Sequence, residues 1–222
     1  MTDVDGPAQG LRVLQAGAPL REAAAAMILL HGRGATAEDI LLLGQELSLP
    51  GFTYVAPQAP GNTWYPNRYS APIESNEPWL SSALVALEAL LRRIEGVLPV
   101  RMMVLLGFSQ GGCLTLEFAA RNAKRYGAVV GLSAALIGPP DTPRDYEGSL
   151  DGTPVFLGCS DMDPHIAEAD VRASAEILGR LGGAATVRLY PGLGHQVNQD
   201  ELGHVRGLMR ALLPAGDSSP RG

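Results

Sequence analysis

The sequence predicts an α/β protein, with a mainly parallel central sheet and helices on both faces. Two observations point there. Short apolar runs alternate along the chain with stretches whose apolar residues recur at helical spacing, the pattern of repeated strand–helix units. The apolar runs are also continuous rather than alternating, as in Ala26–Leu30 and Met102–Leu106, which is what strands covered on both faces require.

The elements follow in order. Leu11–Gln15 is read as a first strand and Ala26–Leu30 as a buried one. Thr36 suits the N-cap of a helix running to about Leu47, with Glu38 and Asp39 in its first turn. Phe52–Ala56 is the next strand. The stretch Pro57–Pro78 is rich in proline, too long for an ordinary connection, and holds Trp64, Tyr65 and Tyr69, so an ordered, functional loop is expected. Leu84, Leu87, Leu91 and Ile94 give Leu80–Ile94 its helical period. Strands are expected at Met102–Leu106, Ala128–Leu132, Val155–Gly158 and Thr186–Tyr190, with helices at about Gln110–Asn122, Ala167–Leu181 and Gln199–Leu212. We expect one domain over 1–222, ordered over about 11–213, with a flexible tail at 214–222.

Composition excludes several classes of function. The 222 residues are 46% hydrophobic and 18% charged, which suits a globular core. A net charge of −6 without a Lys/Arg cluster argues against a nucleic-acid partner and against stable association with anionic membranes. Ala23–Leu30 is too short to span a bilayer, and the acidic, polar start has no signal-peptide pattern, so a cytoplasmic protein is expected. Cys113 and Cys159 each lie in an apolar stretch where a reduced thiol packs well, although a single disulfide stays open. No His/Cys/carboxylate group has metal-ligand spacing, so neither a metal nor a cofactor is implied.

The segment Gly107-Phe108-Ser109-Gln110-Gly111 is G-x-S-x-G, placed directly after an apolar strand and directly before a helix. In that context the pattern describes a tight turn that pushes a serine out of the sheet edge, with glycines where a side chain would block it. A serine needs a base, and the base needs an orienting carboxylate. His195, in a loop after the strand ending at Tyr190, is the candidate base; His165 and His204 follow Ser109 too, but His204 falls inside a helix. Asp163 is the preferred acid, since Pro164 extends the backbone after it, with Asp161 as the alternative.

Acyl transfer also needs donors aimed at an oxyanion. The Gln110 N–H, following the nucleophile, is one. Leu30-His31-Gly32-Arg33-Gly34 ends a strand in H-G-x-G and supplies the second, assigned to the Arg33 N–H, or to Gly34 if the turn differs by one residue. His31 is read as holding that loop. Trp64, Tyr65, Phe108 and Ile166 are candidates for the substrate pocket.

Together with Ala56-Pro57-Gln58-Ala59-Pro60, Ser160-Asp161-Met162-Asp163-Pro164 and Gly194-His195, these segments resemble the phospholipase/carboxylesterase family, which includes acyl-protein thioesterases. The resemblance runs from about residue 24 to 213. It implies an α/β-hydrolase fold, a Ser109–His195–Asp163 triad and an acyl-enzyme, and it allows a homodimer. In the family's D-x-D-P element the aspartate before proline is the triad acid, which supports Asp163. Ala35 stands where many thioesterases have aspartate, and Asn62-Thr63-Trp64-Tyr65-Pro66 with Asn76-Glu77-Pro78 is more similar to the bacterial carboxylesterases. The expected substrate is a small, short-acyl carboxylic ester. The rivals are an acyl-protein or lysophospholipid hydrolase, a peptidase or lactonase on the same fold, and a non-catalytic small-molecule receptor.

Overall fold

The computed structural model describes residues 11–213, so the tail expected at 214–222 lies outside the described residues. Seven strands form one sheet in the order β1-β3-β2-β4-β5-β6-β7. They are β1 (Val13–Gly17), β2 (Ala25–Leu30), β3 (Phe52–Pro57), β4 (Met103–Phe108), β5 (Ala128–Leu132), β6 (Pro154–Ser160) and β7 (Ala184–Tyr190). Only the edge strand β1 is antiparallel, to β3; every other pair is parallel. The helices are α1 (Ala37–Glu46), α2 (Trp79–Glu95), α3 (Gln110–Arg121), α4 (Glu168–Arg180) and α5 (Gln199–Arg210).

The continuous apolar strands serve two cores. In β2, Ala26, Ile28 and Leu30 pack under α2, α3 and α4, while Ala25, Met27 and Leu29 pack on the other face with α1 and α5. Met103 and Leu105 of β4 repeat the division against Val104 and Leu106. Side chains alternate across a strand, so burial on both faces leaves no polar position in its middle.

Local chemistry sets the ends of the elements. Thr36 caps α1 in a reciprocal box: its hydroxyl accepts from the Asp39 N–H at 3.2 Å, and Asp39 accepts from the Thr36 N–H at 2.8 Å. Asn198 and Glu201 repeat the device at the start of α5. Several boundaries differ from the sequence reading: β6 and β7 are longer than expected, at Pro154–Ser160 and Ala184–Tyr190, and two other shifts have a visible cause. β1 is displaced to Val13–Gly17, because its register on β3 begins with Val13 opposite Pro57. β4 starts at Met103 and runs on to Phe108, because Val100–Met102 form a 3₁₀ turn.

The loop after β3 is ordered and carries short 3₁₀ turns at Pro60–Asn62 and Ile73–Asn76. It folds over the carboxyl edge of the sheet. Ser109, Asp163, His195 and Arg33 follow β4, β6, β7 and β2, so all four emerge at that same edge.

Candidate active site

Ser109 sits between β4 and α3 with φ 55° and ψ −122°, a backbone state costly for a residue with a side chain. The glycines around it are there for steric reasons. A Cβ on Gly107 would lie 2.2 Å from the Gly111 carbonyl oxygen, and one on Gly111 would lie 2.2 Å from that of Leu30. The Ser109 N–H donates to the Leu132 oxygen at 2.9 Å, and its carbonyl accepts from the Cys113 N–H at 2.9 Å. The strained turn is thereby tied to the neighbouring strand and to the helix it opens.

The hydroxyl of Ser109 is 2.9 Å from His195 Nε2, and His195 Nδ1 is 2.8 Å from Asp163 Oδ2. The His195 ring also packs against Phe108, with centroids 5.0 Å apart, and edge-on to His165 at 4.7 Å. The Asp163 side chain is fully buried, and its other oxygen accepts from the His165 and Ile166 N–H groups at 2.8 and 3.1 Å. Burial pushes this carboxyl's pKa up, but the His195 hydrogen bond, the two backbone donors and the charge of His195 outweigh it, so Asp163 ends below its ordinary value. Cys159 Sγ lies 3.8 Å from the same carboxylate, and burial pushes its pKa up to about 12, so it faces the acid as a thiol.

Asp161 has a different place. Its Oδ1 accepts from the Gly192 N–H at 2.9 Å, and the Ser160 hydroxyl accepts from the Gly194 N–H at 3.0 Å. These two bonds pin the His195 loop to the loop after β6. His204 is set away from the group, with its ring against Phe156 at 4.2 Å.

At the end of β2 the Gly34 N–H donates to the Asn62 oxygen at 2.7 Å, so it is occupied. The N–H groups of Arg33 and Gln110 have no hydrogen-bond partner among the described residues. The H-G-x-G loop lies against Ser109, since a Cβ on Gly32 would be 3.4 Å from that of the serine. His31 is fully buried: its Nδ1 bonds the Gly32 oxygen at 2.8 Å and its Nε2 accepts from the Ala59 N–H at 3.1 Å. Burial lowers its pKa, consistent with a neutral ring that holds this loop to the next one.

The sequence profile of the family described as phospholipase/carboxylesterase matches residues 13–213. The chain belongs to this family. Among curated relatives, an acyl-protein thioesterase 1 of Gibberella zeae is 33% identical over 129 residues, covering 54% of this chain and 52% of that protein. The chain thus spans about half the length of the first curated relatives it matches. An acyl-protein thioesterase 1 of Eremothecium gossypii aligns over 94% of this chain and 99% of its own length at 27% identity. A crystal structure of a phospholipase/carboxylesterase from Dyadobacter fermentans superposes with a TM-score of 0.87 at 37% identity, covering 90% of this chain and 97% of that one. The fold is that of the α/β hydrolases.

A cleft of about 410 Å³ opens over Ser109. Tyr65 and Ile166 line it, and so does His165, whose place right after Asp163-Pro164 already put it beside the site; three further walls, Arg68, Tyr69 and Cys113, were not singled out by the sequence reading. Burial pushes the Cys113 pKa up to about 12, so that cysteine faces the cleft as a thiol. Trp64 and Phe108, expected at the pocket, stand apart from its walls. Trp64 turns inward, with its Nε1 donating to the His31 oxygen at 2.9 Å, and Phe108 lies behind the His195 ring. Gln110 does more than offer an amide. Its side chain accepts from the Trp64 N–H at 3.0 Å and donates to the Tyr65 oxygen at 2.7 Å, clamping the long loop to the start of α3.

Proposed function

We propose that this protein is a serine carboxylesterase that hydrolyses small, short-acyl carboxylic esters through Ser109, His195 and Asp163. The continuous chain of contacts from the Ser109 hydroxyl through the imidazole to the Asp163 carboxylate, at 2.9 and 2.8 Å, carries the reading. His195 Nε2 takes the serine proton as Oγ attacks the ester carbonyl carbon. Asp163 holds the Nδ1–H tautomer and stabilises the imidazolium that forms. The unpartnered N–H groups of Arg33 and Gln110 receive the oxyanion. The imidazolium then gives its proton to the departing alcohol, and water repeats the cycle on the acyl-enzyme. Two free, buried cysteines suit a reducing compartment, and we read the enzyme as cytoplasmic.

The cleft favours short acyl groups. Its walls include Arg33, Arg68 and His165, and Ile166 is the one aliphatic side chain among them. Each methylene buried against an apolar wall adds about 0.8 kcal/mol, and the apolar walls here are confined to Tyr65, Tyr69, Cys113 and Ile166, interleaved with the charged and polar ones. The second reading is an acyl-protein thioesterase, favoured by the printed names of the fungal relatives. Initial rates on 4-nitrophenyl esters of graded acyl length separate the two. A kcat/KM that peaks at short acyl groups supports the carboxylesterase; one that climbs steadily to the longest chains overturns it in favour of the thioesterase.

A further inference from the structure

The cleft over Ser109 has two guanidinium groups and no carboxylate among its walls, in a chain whose net charge is −6. The Arg33 guanidinium donates to the carbonyl oxygens of Pro66 and Asn67 at 2.8 and 2.5 Å. Those neutral acceptors fix its place without cancelling its charge. The exposed Arg68 side chain has neither a hydrogen bond nor an ion pair among the described residues. Two acids on the neighbouring elements are committed elsewhere. Asp163 serves His195, and Asp170 accepts from the Tyr69 hydroxyl at 2.6 Å.

The backbone that carries Arg68, and that the Arg33 guanidinium grips, is held from behind. The fully buried Asn76 accepts from the Asn67 N–H at 2.8 Å and donates to the Arg68 oxygen at 3.3 Å. The Gly138 N–H donates to the Tyr69 oxygen at 2.6 Å. Uncompensated positive charge held in a concave site focuses the field on anions, and guanidinium forks match oxyanion groups.

We infer that the preferred substrates are anionic esters: short esters bearing a carboxylate or phosphate that Arg68, beside Arg33, holds while the ester carbonyl lies over Ser109. The half-ester of a short dicarboxylic acid is the simplest of this class. The inference rests on the esterase reading and narrows its substrate.

The test compares mono-4-nitrophenyl glutarate with the neutral 4-nitrophenyl pentanoate, taking the ratio of their kcat/KM values. Arg68→Gln lowers that ratio about tenfold, and added salt lowers it in the wild type. The control Arg172→Gln, on α4 and paired with Glu168 at 2.8 Å, leaves it unchanged. Acetate and inorganic phosphate as competitors tell which anion the site prefers. The inference is overturned if the ratio in Arg68→Gln equals that of the wild type while pentanoate is still cleaved. Cleavage of neither ester removes the esterase reading itself.

Discussion

Asp163 and Glu201 are both carboxyls taken out of water near the carboxyl edge of the sheet, and their surroundings treat charge in opposite ways. Asp163 receives the His195 ring nitrogen on one oxygen and two backbone N–H groups on the other, and its pKa falls below the ordinary value. Glu201 receives the Asn198 N–H on Oε2 at 2.8 Å, while its buried Oε1 has no partner among the described residues. Burial raises the Glu201 pKa to about 7 from 4.5, against the Asn198 hydrogen bond and with help from the neighbouring Asp200. The difference teaches that donors, rather than depth, decide whether a buried carboxyl stays ionised. The acid beside His195 is built to be a carboxylate; the acid that caps α5 is built to share its site with a proton.

Removing the charge at each position sharpens the contrast. Asp163→Asn keeps the shape but favours the wrong imidazole tautomer, so kcat falls roughly 10⁴-fold, the size such changes reach in serine-protease triads. Steady-state kinetics on a short ester checks this.

Glu201→Gln acts on stability. A folded-state pKa raised above the unfolded value contributes stability that is full below 4.5 and lost as pH rises through about 7. The wild type therefore loses up to roughly 3 kcal/mol across that window, and Glu201→Gln, which keeps the acceptor for Asn198, loses little. Urea unfolding at a series of pH values reads it; parallel curves for the two proteins would break the comparison. Asp163 contributes with the opposite sign, through stability that is present above the ordinary carboxylate value and lost as pH falls through its lowered one.

Asp161→Asn has the smallest effect, because the amide oxygen still accepts from the Gly192 N–H; activity stays within about threefold of wild type. A loss as large as that of Asp163→Asn would exchange the roles of the two aspartates.

The sequence was most informative where geometry leaves few residue choices. Gly107 and Gly111 stand where a Cβ would strike backbone, so the turn at Ser109 is written in letters. The doubly covered strands read as unbroken apolar runs, and Thr36 announced α1. The long loop carries no period. Nothing in Asn62–Tyr69 says that Trp64 turns inward while Tyr65 and Arg68 face the cleft, because the Gln110 clamp and Asn76 decide it across the fold. Glu201 was equally hidden, since an acid in an amphipathic helix reads as surface. The one signal was the spacing Asn198-x-x-Glu201, a capping box that predicts the bond to Oε2 but not the solitary Oε1.

The most direct measurement of the central claim is labelling with a fluorophosphonate, read by peptide mass spectrometry in the wild type and in His195→Ala. A hydroxyl activated by that imidazole predicts one phosphonyl adduct on Ser109, formed quickly in the wild type and slower by orders of magnitude in the variant. An unlabelled Ser109, or equal rates in the two proteins, would contradict it.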